Sequence, residues 1–240
     1  MKLGDSFYYR DRNTTINWCP SDSESAWKKN MSVEYSKNLL QTLEWHEDSI
    51  QYQLNSHGFR ADEFNSAEDG IIFLGCSYTF GIGMDAESMW AHKVANQLKL
   101  KNWNLGQGGC SNDTCYRLGS YWIPELKPKM VVMLAPPKFR MEICQPTLAE
   151  NFLPTDKNIK EFYKNWLSTD INSNLNIRKN VDGLHLLCYQ MNIPFYSMLA
   201  DDAIISCREN SKDLARDLLH PGRIWNQNVA NKFLEMINDR

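Results

Sequence analysis

Apolar residues follow two rhythms along this chain. Unbroken runs occur at Ile71-Ile72-Phe73-Leu74, at Val131-Val132-Met133-Leu134 and across Pro194-Phe195-Tyr196-Ser197-Met198-Leu199. Runs this short, rich in β-branched and aromatic residues, predict strands buried on both faces of a parallel sheet. Trp103-Asn104-Leu105 predicts a shorter strand of the same kind. Between the runs, apolar positions recur at helical spacing. Met89, Trp90, Val94, Ala95 and Leu98 predict a helix over residues 86–98. A second is predicted over 111–126, with Ser111 or Asn112 as N-cap and Pro128 beyond its end. Helical patterns follow near 159–167 and 174–191, and a last helix runs from Gly222 or Arg223 to Ile237. A long region with a turn at Leu153-Pro154 and a polar loop after Leu199 complete the pattern. Strand alternating with helix four or more times predicts one doubly wound α/β domain, residues 65–240, its parallel sheet covered on both faces.

Residues 1–64 read differently, as a polar, aromatic-rich extension that packs on the core. A turn is predicted around Pro20, a helix start near Ser23 or Ser25, and a helix over 33–44 with Leu39, Leu40 and Leu43 on one face. Ile50, Tyr52 and Leu54 alternate with Gln51 and Gln53 as in a half-buried strand, and His57-Gly58 then turns the chain. Trp18, Trp27, Trp45 and the Tyr8-Tyr9 pair read as packing, with the lining of a ligand cleft as the alternative.

Composition narrows the possible functions. With 240 residues, 42% of them hydrophobic, the chain can bury a sizeable core. A net charge of −3 lacks the basic surplus that a phosphate backbone demands, which excludes nucleic acid as the main partner. No run approaches the ~18 apolar residues of a membrane span, and the opening residues lack the apolar stretch of a signal peptide. The expectation is a cytoplasmic protein with no membrane partner. Seven cysteines, scattered and never spaced C-x-x-C, argue against a zinc ribbon or a redox dithiol, and most of them read as buried, reduced thiols. His46, His92 and His185 have no ligand spacing, and Asp201-Asp202 reads as solvated loop, so no metal is expected.

The candidate chemistry sits at the ends of the predicted strands. Gly75 can relieve crowding where the first strand leaves the sheet, and Ser77 lands just beyond the carboxyl end, where open α/β sheets place their ligands. Gly81-Ile82-Gly83-Met84-Asp85-Ala86 satisfies G-x-G-x-x-A formally, but its glycines come late and no carboxylate ends the next strand, so the dinucleotide reading is discounted. No P-loop occurs. A serine hydroxyl needs a base within reach, and that base needs an acceptor to fix its tautomer. Asp217 and His220, three apart before the last helix, can supply both; the plainer reading is a cap and a polar helix start. Backbone amides in Asn104-Leu105-Gly106-Gln107-Gly108-Gly109 are suitable oxyanion donors, or form only a tight turn. His57, in a turn beside glycine, reads as a surface or capping residue. Cys76 reads as buried and inert, since adjacent strand-end residues point to opposite faces.

Taken together, these blocks resemble the SGNH or GDSL hydrolase superfamily. Gly75-Cys76-Ser77-Tyr78-Thr79 is similar to its first block, the glycine segment from Asn104 to its second, and Asp217 with His220-Pro221 to its last. Asn55-Ser56-His57-Gly58-Phe59-Arg60 resembles the N-S-x-G-F-R segment that precedes the core in some members. The resemblance spans about residues 50–235. It implies a three-layer α/β/α sandwich with a mostly parallel, flavodoxin-like doubly wound sheet, and a serine esterase or acyl hydrolase without metal or cofactor. The implied roles are Ser77 as nucleophile, His220 as base, Asp217 as its orienter, and the amides of Ser77 and Gly106 as oxyanion donors. The implied partner is a small-molecule or glycan ester, such as an acetyl group on a carbohydrate. The chain departs from the family twice. Cys76 replaces the usual aspartate, and Ala135-Pro136-Pro137-Lys138 replaces the block that supplies an oxyanion asparagine. Asn112 is the first candidate substitute, with Lys138 or Arg140 behind it. A fold-retaining binding or assembly protein and a glycan O-acyltransferase are the alternatives.

Overall fold

The computed structural model describes residues 2–144, 149–152, 161, 165, 166 and 169–239. In chain order its elements are β1 (Thr15–Ile16), α1 (Glu24–Ser32), α2 (Glu34–Thr42), β2 (Tyr52–Gln53), β3 (Gly70–Gly75), α3 (Ser77–Phe80), α4 (Trp90–Leu98), β4 (Lys101–Asn104) and α5 (Asn112–Leu126). There follow β5 (Met130–Ala135), β6 (Met141–Cys144), β7 (Ala149–Phe152), α6 (Asp170–Gln190), β8 (Phe195–Leu199), α7 (Ala200–Ser206) and α8 (Arg223–Asn238).

The main sheet is parallel, in the order β4-β3-β5-β8. Its central strands are the unbroken apolar runs, because only side chains acceptable on both faces can occupy the middle of a covered sheet. The two-residue strand period divides them. Ile72 and Leu74 pack with Leu118, Trp122, Leu184 and Cys188 of α5 and α6, whereas Ile71 and Phe73 pack with Trp90 and Val94 of α4 and Trp225 and Phe233 of α8. The result is the expected three-layer α/β/α sandwich. Gly75 lies opposite Leu134, so the loops after β3 and β5 leave the sheet at one level. No helix among the described residues is long and apolar enough to cross a membrane.

The N-terminal region makes a third apolar cluster. Trp27, Leu40, Trp45, Ile50, Tyr52 and Leu54 pack against Phe80, Ile82, Met84 and Ala215. Ser23 is the N-cap of α1, its hydroxyl accepting the Ala26 N–H at 3.1 Å. Trp18 lies over the Arg216 guanidinium at 4.3 Å, and Tyr8 stacks on Phe80. These aromatics pack. The alternation from Ile50 to Leu54 appears in burial, yet only Tyr52–Gln53 pairs, antiparallel with β1.

Several expected boundaries move for local reasons. The helix over 86–98 begins only at Trp90, because Asp85 Oδ1 accepts the Ser88 N–H at 2.9 Å and closes a separate turn first. The helix expected at 174 begins at Asp170; its buried Asn176 and Asn180 interrupt the apolar pattern, and both amides donate to Asp113. In the expected polar loop, α7 packs through Ala200 and Ala203, too small to mark a helical face. The antiparallel pair of β6 and β7 also departs from the sequence pattern. Glu142 of β6 is held by the Arg117 guanidinium at 2.9 Å, so an ion pair takes the place of an apolar alternation. Ser111 rather than Asn112 caps α5. The turn at Leu153-Pro154 and most of the pattern over 159–167 lie outside the described residues.

Candidate active site

Ser77 owes its place to backbone crowding at the end of β3. A Cβ on Gly75 would collide with Thr79 Oγ1 and lie 2.8 Å from the Leu134 carbonyl, so only glycine fits. The chain then turns sharply into the single turn of α3, with Phe80 N–H bonding Cys76 O at 2.9 Å. Gly81 closes it in the left-handed region at φ +77°. Ser77 is 6% exposed. Its Oγ lies 4.0 Å from Cys76 Sγ, and its backbone N–H has no acceptor among the described residues. Burial pushes the Cys76 thiol up, against the opposing Arg140 charge, so Cys76 stays a neutral thiol.

The second loop carries a preformed acid–base pair. His220 Nδ1 lies 2.6 Å from Asp217 Oδ2, and Asp217 Oδ1 accepts the N–H groups of Leu219 and His220 at 3.0 Å each. Leu218 takes φ +55° to close that turn, an uncommon conformation for a branched side chain. The Asp217 carboxylate is buried, which alone would raise its pKa. The hydrogen bond and charge of His220, with the two backbone N–H groups, outweigh burial and hold it below the usual carboxylate range. With Nδ1 tied to Asp217, the free ring nitrogen is Nε2, the one a base offers to a nucleophile.

Ser77 and His220 flank one narrow crevice, too tight to admit a water molecule, together with Tyr78, Pro221 and Trp225. The Tyr78 ring meets the imidazole edge-on at 5.7 Å between centroids, and burial pushes its phenol up to about 12, so it remains neutral. No hydrogen bond joins Ser77 Oγ to His220 among the described contacts. The serine hydroxyl instead faces Cys76.

The oxyanion donors require a correction. The Gly106 N–H donates to Asn104 Oδ1 at 2.8 Å, so the donor expected there is already engaged. Gly106 is needed for space instead, since a Cβ would lie 2.6 Å from Phe80 N. Gly109 differs. It adopts φ +74°, a Cβ there would meet nothing within 4 Å, and its N–H has no acceptor among the described residues. Asn112 is 1% exposed at the start of α5; its Nδ2 donates once to Pro136 O at 2.9 Å, and its Oδ1 has no partner. Lys138 is held by Asp170 at 2.8 Å, and Arg140 Nη1 donates to Cys110 O at 3.2 Å. His57 stays outside the site, its ring packed against Phe64 and Trp122.

Sequence reasoning missed the groups that hold these loops. Arg60 is buried and donates to the carbonyls of Phe80, Gly81, Met84 and Gln51 at 2.7–3.3 Å. Its signal was present as the last residue of the Asn55–Arg60 block. Asn55 folds that block, its Oδ1 accepting the N–H groups of His57 and Phe59 at 3.0 Å each. Asp22 and Arg216 form a second buried group, with a closest contact of 2.7 Å, and nothing in their separate neighbourhoods signalled it. Among the described residues no three His, Cys, Asp or Glu side chains are grouped to hold a metal ion.

No protein-family model matches the chain, and no curated protein matches it. Solved structures do resemble it. An acetyl xylan esterase from the rumen bacterium Butyrivibrio proteoclasticus superposes at a TM-score of 0.39 with 14% identity, covering 71% of this chain. The chain spans 63% of that structure's length. A member of the lipolytic G-D-S-L family from Veillonella parvula gives a TM-score of 0.36 at 14% identity, covering 71% of this chain and 99% of the other. A protein described as an acylhydrolase from Bacteroides fragilis gives 0.36 at 13% identity, covering 75% and 91%.

Proposed function

We propose that the chain is a serine hydrolase that cleaves a carboxylic ester through an acyl-enzyme. The observation that carries the reading is the His220–Asp217 pair, whose imidazole shares a crevice with a buried serine at a strand end. Rotation of the Ser77 hydroxyl away from Cys76 brings Oγ toward Nε2, which takes its proton as Oγ attacks the ester carbonyl. The carbonyl oxygen becomes an oxyanion, held by the N–H groups of Ser77 and Gly109 and by the second N–H of Asn112. The tetrahedral adduct collapses, the alkoxide leaves with the proton from His220, and the acyl group remains on Ser77. Water, deprotonated by His220, then releases the acid. The family resemblance favours a small acyl group, acetyl on a carbohydrate, as substrate; a sugar hydroxyl replacing water would make the same site an O-acyltransferase.

The test is labelling with a fluorophosphonate and hydrolysis of an acetyl ester by the protein and by Ser77→Ala. Labelling at Ser77, and activity lost in the variant, are expected. No labelling, with hydrolysis absent or equal in both, sinks the reading. That result favours a fold-retaining binding protein, the reading to which a Ser77 hydroxyl turned to Cys76 rather than to His220, and the engaged Gly106 amide, lend support.

A further inference from the structure

A closed ring of hydrogen bonds joins the N-terminal extension to both catalytic loops. The Gly83 N–H donates to the Tyr52 hydroxyl at 2.9 Å, and that hydroxyl donates to Asp22 Oδ2 at 2.5 Å. Asp22 accepts both Arg216 Nη2 at 2.7 Å and Nε at 3.0 Å. The Arg216 backbone N–H returns to Gly83 O at 2.9 Å. Gly83 lies six residues beyond Ser77, and Arg216 immediately precedes Asp217. Tyr52, Asp22 and Arg216 are all 2% exposed or less. The loops touch directly at this ring, for a Cβ on Gly83 would sit 2.9 Å from Ala215 Cβ, and Gly83 holds φ +71°. Two more Arg216 donors go to the carbonyls of Glu47 and Asn17, both in the extension.

We infer that Tyr52 and Asp22 are positioning residues, which set the distance between Ser77 on one loop and His220 on the other. The inference rests on the Ser77–His220–Asp217 reading of the site. Two facts separate positioning from mere stability. The His220–Asp217 geometry is made within its own loop, by the N–H groups of Leu219 and His220 on Asp217 and by Ala215 N–H on His220 O at 2.9 Å. The ring makes no hydrogen bond to that pair and meets it only through the Arg216 backbone, so it bears on where the pair stands relative to Ser77. A buried ion pair is also a poor source of net stability compared with apolar packing of the same volume, and its best-attested use is to fix one arrangement among several.

The test reads that spacing without requiring turnover. In a Ser77→Cys background, with and without Tyr52→Phe, alkylation of the introduced thiol by iodoacetamide is followed against pH by peptide-resolved mass spectrometry. Tyr52→Phe keeps the buried ring and the Asp22–Arg216 pair, while Cys76, Tyr78 and Arg140 around position 77 are the same in both. With Tyr52 present, an imidazole in reach lowers the midpoint well below the ordinary thiol value of about 8.5. With Tyr52→Phe the midpoint rises by about one pH unit, and fluorophosphonate labelling of Ser77 in the otherwise natural chain slows about tenfold or more. Equal midpoints and equal labelling rates per folded molecule overturn the inference, whatever happens to the melting temperature. An ordinary midpoint with Tyr52 present means that His220 does not reach position 77, and sinks the triad and its positioning together. A low midpoint that rises with Tyr52→Phe, in a protein that hydrolyses no ester, supports positioning and sinks only the hydrolase reading.

Discussion

The Asp217 carboxylate holds His220 Nδ1 at 2.6 Å from within the same turn, so the base is oriented before any substrate arrives. Both oxygens are used. Oδ1 collects two backbone N–H groups, which fix the carboxylate, and Oδ2 is left to the imidazole. Asp217→Asn keeps the size and one oxygen but places an NH₂ group where an acceptor is needed, which stabilises the wrong tautomer. The expected result is a fall in kcat on the order of 10⁴ with KM little changed. Steady-state kinetics on an acetyl ester check it; a fall below tenfold would remove Asp217 from the mechanism.

The same carboxylate makes stability depend on pH. Its native pKa lies below the ordinary value of 3.8, the His220 and backbone contacts outweighing burial. A group depressed in the folded state contributes stability that is fully present above its unfolded pKa and is lost as pH falls through the native one. The urea midpoint of the wild type should therefore drop more steeply than that of Asp217→Asn as the pH falls below the ordinary carboxylate value of about 4. Parallel curves would show that Asp217 gains nothing on folding.

Arg60 should matter more to stability than any charged residue on the surface. Its guanidinium is buried and bonds the carbonyls of Phe80, Gly81, Met84 and Gln51, so it closes the loop that follows the nucleophile. Arg60→Met keeps the apolar stem and leaves those carbonyls without the donor. A loss of about 3–5 kcal/mol in urea unfolding is expected, of the size seen when a buried network is broken. Arg60→Lys, with one point charge for a five-donor fork, should recover only part of it.

What was legible in the sequence follows from range. The strands whose runs begin at Ile71 and Val131 announce themselves because burial on both faces demands unbroken apolar runs, and Asp217 with His220 because their contact is local. The ring of Gly83, Tyr52, Asp22 and Arg216 is invisible in the same text. Each member is ordinary in its own neighbourhood, and Asp22 and Arg216 meet only across the folded chain. The Gly106 assignment failed for a related reason. A glycine block shows that a backbone is crowded or left-handed, but which amide is free depends on where the Asn104 side chain turns. Asp113, Asn176 and Asn180 hid the start of α6 likewise, by satisfying one another in a place where the pattern expects apolar residues.

Asn112 offers a test of the third oxyanion donor. One of its N–H groups is bound to Pro136 O, and the amide lies buried at the start of α5. Asn112→Ala should cost about 1 kcal/mol of stability for the lost hydrogen bond and about 10²–10³ in kcat for the lost donor. A fall under threefold in kcat would move the third donor to another group, with Arg140 next in line because the Cys110 carbonyl already holds it beside the glycine loop.

The two loop glycines should separate space from catalysis. Gly106→Ala forces a Cβ to 2.6 Å from Phe80 N and 2.9 Å from Asn104 Oδ1, so the Ser77 loop must shift, and both stability and fluorophosphonate labelling should fall together. Gly109→Ala meets nothing within 4 Å, and its cost is that of a non-glycine residue held at φ +74°, about 1–2 kcal/mol. That variant keeps its N–H, so a chain that still folds should keep most of its labelling rate. Replacing the Gly109 amide nitrogen with an ester oxygen by backbone substitution removes the donor alone. Hydrolysis should then fall about 10²-fold or more, while the melting temperature moves little, because that N–H bonds no group of the folded chain among the described residues. Unchanged hydrolysis would return the oxyanion to the Ser77 amide and Asn112.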